Sequence, residues 1–265
     1  LNSSINSVIN SFFLFLFVVA EIWFLTLLQL IAQNRELIFE HYTIDDGASA
    51  SIAKTIFQDK IGYLWFGTSS GLDRYDGVKF KSYKNIPGDT LSITNGFVQC
   101  FLEDKESNIW IGTTNGLDKF IRSSEIFLHF NFHLNTDDVN NITSIVEDND
   151  GSFWIGTEGG LIKFNPLNGI IKHYHHDEIN SKSLIHNQIF VIHLALNNDL
   201  WIGTNCGLDK FERETESFLH YWRDPIYKPG FYKSGMSEKY CVTSIYEDHN
   251  RILWIGTNGG LLEFN

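Results

Sequence analysis

One pentapeptide recurs through the chain and limits what it can fold into. Leu64-Trp65-Phe66-Gly67-Thr68 returns as Ile109 to Thr113, Phe153 to Thr157, Leu200 to Thr204 and Leu253 to Thr257. The steps between the tryptophans are 45, 44, 47 and 53 residues. Six residues after each Trp stands a Gly-Leu pair that begins at Gly71, Gly116, Gly160, Gly207 or Gly260. Nine residues before it stands Ile56, Phe101, Ile145, Ile192 or Ile245. A period of this size marks a fold that stacks one small unit, each copy burying a face its neighbour exposes.

The unit reads as four short strands. In the third copy Ile142 to Val146 is an apolar strand A. It is followed by the turn Asp148-Asn149-Asp150-Gly151, where a carboxylate can bond backbone N–H groups and glycine can take positive φ. Strand B is Phe153 to Thr157, and the loop Glu158-Gly159-Gly160 leads to strand C, Leu161 to Asn165. Pro166-Leu167-Asn168-Gly169 then turns the chain into strand D, Ile171 to Tyr174. Composition agrees: 22 Phe, 10 Tyr and 7 Trp stand beside a single Met, which suits strands better than helices. A four-stranded antiparallel meander of this length is one blade of a β-propeller, so the fold class is all-β. Blade cores fall at about 51–83, 96–130, 140–174, 187–221 and 240–265, with innermost strands starting near Ala53, Val98, Ile142, Ile189 and Val242. Trp and the Gly two residues later share a face of strand B, so the indole can pack on the next blade while Gly lets that blade approach. Ser107 and Arg251 replace the turn glycine in units two and five, which predicts looser turns there; Asn198 in unit four can keep the turn.

Residues 1–36 read differently. The run from Phe12 to Ala32 is broken only by Glu21, Thr26 and Gln29, and the first basic residue is Arg35. A run of this kind reads as a hydrophobic helix serving as a signal peptide or membrane anchor, with export as its consequence. The net charge of −12, without a basic run, excludes nucleic acid as a partner. Cys100, Cys206 and Cys241 contain no CxxC pair and read as packing residues.

The repeated pattern Val/Ile-x-x-Ile-x-Glu-Asp-x-x-Gly-x-Leu-Trp-Ile-Gly-Thr-x-x-Gly-Leu resembles the two-component regulator propeller repeat, over residues 37–265. The resemblance implies the periplasmic part of a sensor histidine kinase anchored in the inner membrane, responding to glycans or their breakdown products. It also implies two seven-bladed propellers, so five blades here would be part of a seven-bladed ring and the chain, which opens on Leu1, a fragment. Partners implied are an oligosaccharide or other small ligand, the remaining blades and downstream domains, the membrane, and a second copy in a homodimer. Any kinase activity would lie in those downstream domains.

A spacer that holds a second propeller in place, and a lyase-like or sialidase-like catalytic propeller, are the alternatives. Sialidase-like propellers need an arginine cluster and a Tyr nucleophile. The arginines of these repeats occupy different places (Arg74, Arg213, Arg223, Arg251), and no His/Glu cluster of the lyase kind is visible, so no enzyme activity is expected of this part. No cofactor or metal is expected either: Asp148 to Gly151 lacks the downstream Glu of a calcium loop, and His173, His175 and His176 read as solvent-exposed.

Two expectations concern particular segments. Phe39-Glu40-His41-Tyr42 copies the outer strands Phe80 to Tyr83 and Phe218 to Tyr221 and reads as an orphan strand D that closes the ring. The longest D–A connection, Trp222 to Lys233, offers Trp222, Arg223, Tyr227 and Tyr232 for stacking and hydrogen bonding to a sugar. Asn115, Glu158 and Asn205 from B–C loops of the same face would complete the site.

Overall fold

The computed structural model describes residues 14–24, 39–134, 138–223 and 240–264. The chain divides into two compact units, Leu1–His41 and Tyr42–Asn265. In the first, residues 14–24 are helical with exposed side chains. Among the described residues no helix is long and apolar enough to cross a membrane. The remainder of the apolar run lies outside the described residues.

The second unit is a propeller of consecutive antiparallel sheets. Blade 1 contains β1 (Ala53–Gln58), β2 (Leu64–Thr68), β3 (Leu72–Tyr75) and β4 (Phe80–Tyr83). Blade 2 contains β5 (Val98–Glu103), β6 (Ile109–Thr113), β7 (Gly116–Ile121) and β8 (Ile126–Phe130). Blade 3 contains β9 (Ile142–Glu147), β10 (Phe153–Thr157), β11 (Gly160–Asn165) and β12 (Gly169–Tyr174). Blade 4 contains β13 (Ile189–Leu194), β14 (Leu200–Thr204), β15 (Gly207–Glu212) and β16 (Ser217–Arg223). Blade 5 has three described strands, β17 (Val242–Glu247), β18 (Leu253–Thr257) and β19 (Gly260–Phe264). The innermost strands begin at the five residues the repeat predicts.

Four apolar clusters fill the seams between successive blades. Trp65 packs with Val98, Ile109 and Phe120 of blade 2, Trp110 with Ile142 and Phe153 of blade 3, and Trp154 with Ile189, Leu200 and Phe211 of blade 4. Trp201 packs with Val242 and Leu253 of blade 5. The glycine after each Trp keeps the seam tight: a Cβ on Gly156 would stand 2.7 Å from Ile189 Cγ2 of the next blade. The two terminal blades each keep one bare face. Ile145 and Ile192 are buried in seams, whereas the matching Ile56 of blade 1 is 64% exposed, and Tyr246 of blade 5 is 65% exposed.

The A–B turn carries a polar lock. Asp59 Oδ1 accepts the N–H groups of Gly62 and Tyr63, both at 2.9 Å, and its Oδ2 accepts the Trp65 indole N–H at 2.9 Å. Asp104, Asp148 and Asp248 receive the indoles of Trp110, Trp154 and Trp254 in the same way, at 2.9, 2.8 and 3.0 Å. Two of these carboxylates also receive an arginine from the C–D turn of the following blade. Arg122 reaches Asp59 at 2.8 Å, and Arg213 reaches Asp148 at 2.7 and 3.1 Å. Burial alone would raise both carboxyls. The guanidinium first, then the indole and backbone donors, outweigh it and hold Asp59 and Asp148 below the usual aspartate value.

Two expectations need correcting. The turns with Ser107 and Arg251 are no looser than the others: φ is +66° and +69° there, against +78° at Gly151. The same turn bonds close, Ser107 N–H to the Asp104 carbonyl at 2.9 Å and Arg251 N–H to the Asp248 carbonyl at 3.0 Å. The carboxylate fixes the turn firmly enough for a side chain to accept the left-handed conformation. Residues 39–43 form no strand; instead Tyr42 lays its ring on Tyr75 and Phe80, at centroid distances of 5.4 and 5.6 Å.

Candidate functional site

The B–C loops and the D–A connections emerge on one face, and hydrogen bonds tie them together. Thr114, Glu158, Asn205 and Asn258 donate their N–H groups to the carbonyls of Phe97, Asn141, Gln188 and Cys241 at 3.1 to 3.2 Å. Each B–C loop closes on itself through a threonine hydroxyl, as in Thr157 Oγ1 to the Gly160 carbonyl at 2.8 Å. Gly160 has φ +125°, and a Cβ there would collide with the Tyr174 carbonyl, so no other residue fits this loop end.

The D–A connections are anchored by a buried aspartate of strand C. Asp118 accepts the Thr94 N–H at 2.8 Å and pairs with His129 Nδ1 at 2.7 Å, while His129 Nε2 meets the Thr90 carbonyl at 2.8 Å. Asp209 repeats this with Ile185 N–H at 2.7 Å, His220 Nδ1 at 2.6 Å and the Ser181 carbonyl. In blade 1 Asp73 uses Ser49 and Ser82. Burial pushes the Asp118 and Asp209 carboxyls up, against the pull of their histidine partners. Blade 3 has Ile162 at this position, and its connection is held by Asn140, which bonds both the N–H and the carbonyl of Phe132.

The anticipated site residues fall as follows. Asn115 is exposed at the tip of the blade 2 loop, and Glu158 and Asn205 are half-buried in the loops of blades 3 and 4. Trp222 and Arg223 are not loop residues: β16 runs through them, and their backbones pair with Leu208 and Gly207. This pairing puts the end of β16 beside the loop that carries Asn205. Tyr227 and Tyr232 lie outside the described residues. The face thus presents the Asn115, Glu158 and Asn205 side chains on hairpins closed by their own threonine hydroxyls.

Of the three histidines expected to be exposed, only His175 is. His173 and His176 are half-buried and face carbonyl oxygens, His173 Nε2 to Gly159 at 3.0 Å and His176 Nδ1 to Leu184 at 2.7 Å. Among the described residues no group of three or more His, Cys, Asp or Glu is placed to hold a metal. Sequence reasoning missed the lock of indole, aspartate and arginine. Its available signal was the constant spacing of Asp59, Asp104, Asp148 and Asp248 ahead of their tryptophans.

The description "two component regulator propeller" matches residues 92–115, 137–159 and 236–259, which fall in blades 2, 3 and 5. Histidine kinase P4 of Formosa agariphila is 49% identical over 63 residues, 24% of this chain and 5% of the kinase. The extracellular domain of the putative hybrid two component system BT3049 from B. thetaiotaomicron is 25% identical, with a TM-score of 0.69 over 85% of this chain and 30% of its own. The extracellular domain of the putative one component system BT4673 of the same organism shares the fold, with 21% identity and a TM-score of 0.71 over 88% of this chain and 32% of its own. A streptogramin B lyase shares it more distantly, with 16% identity and a TM-score of 0.56 over 80% of this chain and 68% of its own. The chain spans less than a third of either ectodomain. By its repeats, the chain is thus similar to two-component regulator propellers over the matched segments of blades 2, 3 and 5.

Proposed function

We propose that this propeller is part of the extracellular or periplasmic sensor region of a two-component signalling protein, and that it binds a polar ligand such as an oligosaccharide. The observation that carries this reading is the likeness in sequence and fold to the extracellular domain of BT3049. Binding is assigned to the face of B–C loops and D–A connections, with Asn115, Glu158 and Asn205 as hydrogen-bonding groups and Trp222, Arg223, Tyr227 and Tyr232 as stacking and charged groups. The apolar N-terminal run serves export or anchoring in the inner membrane, and phosphotransfer belongs to other domains of the protein. The bare faces of blades 1 and 5 support further blades in the ring, seven in all. If residues 33–265 alone fold cooperatively as a monomer, the five-bladed alternative replaces the seven-bladed one.

The test is a thermal-shift screen of the full-length protein against oligosaccharides, because a ligand that binds only the native state raises the melting temperature. A hit whose affinity falls at least tenfold in the Trp222→Ala, Tyr232→Ala double variant is the expected result. Wild-type affinity in that variant refutes the site, and the absence of any hit favours a spacer.

A further inference from the structure

The C–D turns of blades 2 and 4 span four residues and that of blade 3 spans three, with a positive φ at the junction with strand D in each: Glu125 at +55°, Gly169 at +88° and Glu216 at +49°. At the matching first position of these turns stand Arg122, Pro166 and Arg213. In the seam between blades 1 and 2, Arg122 donates to the Asp59 carboxylate at 2.8 Å, to Glu103 Oε1 at 3.2 Å and to the Ser107 carbonyl at 3.3 Å. In the seam between blades 3 and 4, Arg213 uses Asp148 and the Asn198 carbonyl. The counterparts of the Arg122 acceptors in the seam between blades 2 and 3 are Asp104, Glu147 and the backbone of Gly151. Pro166 has no donor to offer them. A cleft of about 600 Å³ opens there, lined by all three acceptors together with Trp110 and Pro166.

We infer that this cleft is a receptor for an alkylguanidinium group carried by a ligand, which takes the place that Arg122 and Arg213 fill in the neighbouring seams. The neutral Asn108 amide now holds this place, donating to both Asp104 oxygens at 3.1 and 2.8 Å; a bound guanidinium displaces it and brings the positive charge that the amide lacks. Glu147 Oε2 accepts the Lys105 N–H, while Oε1 has only the Lys105 ammonium at 3.6 Å. Lys119, the other cation of the wall, lies over the Trp110 ring at 5.2 Å. The volume exceeds what one guanidinium needs and is typical of a small-ligand site, with Leu128 and Leu167 on its rim for the alkyl part. A planar guanidinium can bond carboxylate and carbonyl oxygens together, which a point ammonium does less well. The cleft opens on the A–B and C–D turns, opposite the proposed sugar face, and does not depend on that reading.

The full-length protein is titrated by calorimetry with agmatine and with N-acetyl-Ala-Arg-Ala-amide, and the citrulline tripeptide serves as the neutral isostere. At least one guanidinium probe binds and the citrulline peptide does not; the tighter of the two tells whether the natural source is a free small molecule or a peptide arginine. Pro166→Arg supplies the resident arginine, so it abolishes probe binding and raises Tm by roughly 2–4 °C, whereas Pro166→Ala keeps binding. Glu147→Gln weakens binding about tenfold without unfolding the protein. Equal binding of the citrulline peptide, no binding of either guanidinium probe at 20 mM, or unchanged binding in Pro166→Arg each overturns the proposal.

Discussion

Replacing Trp154 and Trp201 by Phe in separate variants measures what the carboxylate lock contributes. The two indoles are equally interior, 1% and 4% exposed, and both meet aromatic neighbours: Phe211 at 4.8 Å from Trp154, and Tyr221 at 4.9 Å from Trp201. Trimming indole to phenyl costs each site a similar loss of buried surface, about 1–2 kcal/mol. Only at 154 does the change also withdraw a donor from a buried carboxylate, because Ala195 stands where blade 4 would otherwise carry the aspartate. Asp148 keeps Arg213 and the Asn149 N–H, so it stays charged and lacks one partner. A hydrogen bond to a charged group contributes about 1.5–3 kcal/mol, and Trp154→Phe should exceed Trp201→Phe by that amount. Urea unfolding at pH 7 with linear extrapolation reads the difference. In an Asp148→Ala background the excess should vanish. Losses that agree within about 0.5 kcal/mol would show that the indole N–H contributes nothing beyond packing.

Complete removal of the side chain in Trp154→Ala should cost about 3–5 kcal/mol, and an unchanged melting temperature would contradict the packing role. Gly156→Ala drives a methyl into Ile189 across a seam and should cost about 1–3 kcal/mol in the same unfolding assay. His186 is 3% exposed, and burial, with the nearby His176 charge, lowers its pKa to about 4. The unfolded chain therefore takes up this proton first as pH falls through about 6.5, and stability is lost from there down to about 4. By pH 5 the loss is ~2 kcal/mol relative to pH 7, and His186→Gln should flatten that part of the profile.

The blades were legible because Trp-x-Gly-Thr reports two constraints at once, a large ring that needs a neighbour and a gap that admits one. Strand boundaries followed from turns whose residue types have local causes. What escaped the sequence depends on partners far along the chain. Nothing near Asp59 announces Arg122, and among the described residues two of the four seams contain such an arginine. The supposed orphan strand shares its aromatic residues with true outer strands. Aromatics alone secure packing, as Tyr42 does on Tyr75, whereas a strand also needs a free edge to pair with. Trp222 and Arg223 looked like loop because the repeat gives no signal for where β16 ends; the ladder to Gly207 sets that limit. The proposed loop-face site was legible only as loop chemistry, with the Asp118–His129 and Asp209–His220 pairs that anchor its connections hidden among ordinary strand residues.

The reach of the arginines also orders events during synthesis. Blade 1 can form its hairpins as soon as β4 has been made, but Asp59 then carries a charge whose counterion is encoded 63 residues later. Asp148 waits in the same way, 65 residues, for Arg213. A nascent chain that stops after blade 1 or blade 3 thus holds an aspartate seat without its cation, and one that stops after blade 2 or blade 4 has filled it. Synthesis therefore completes these two seams only once the C–D turns of blades 2 and 4 have emerged.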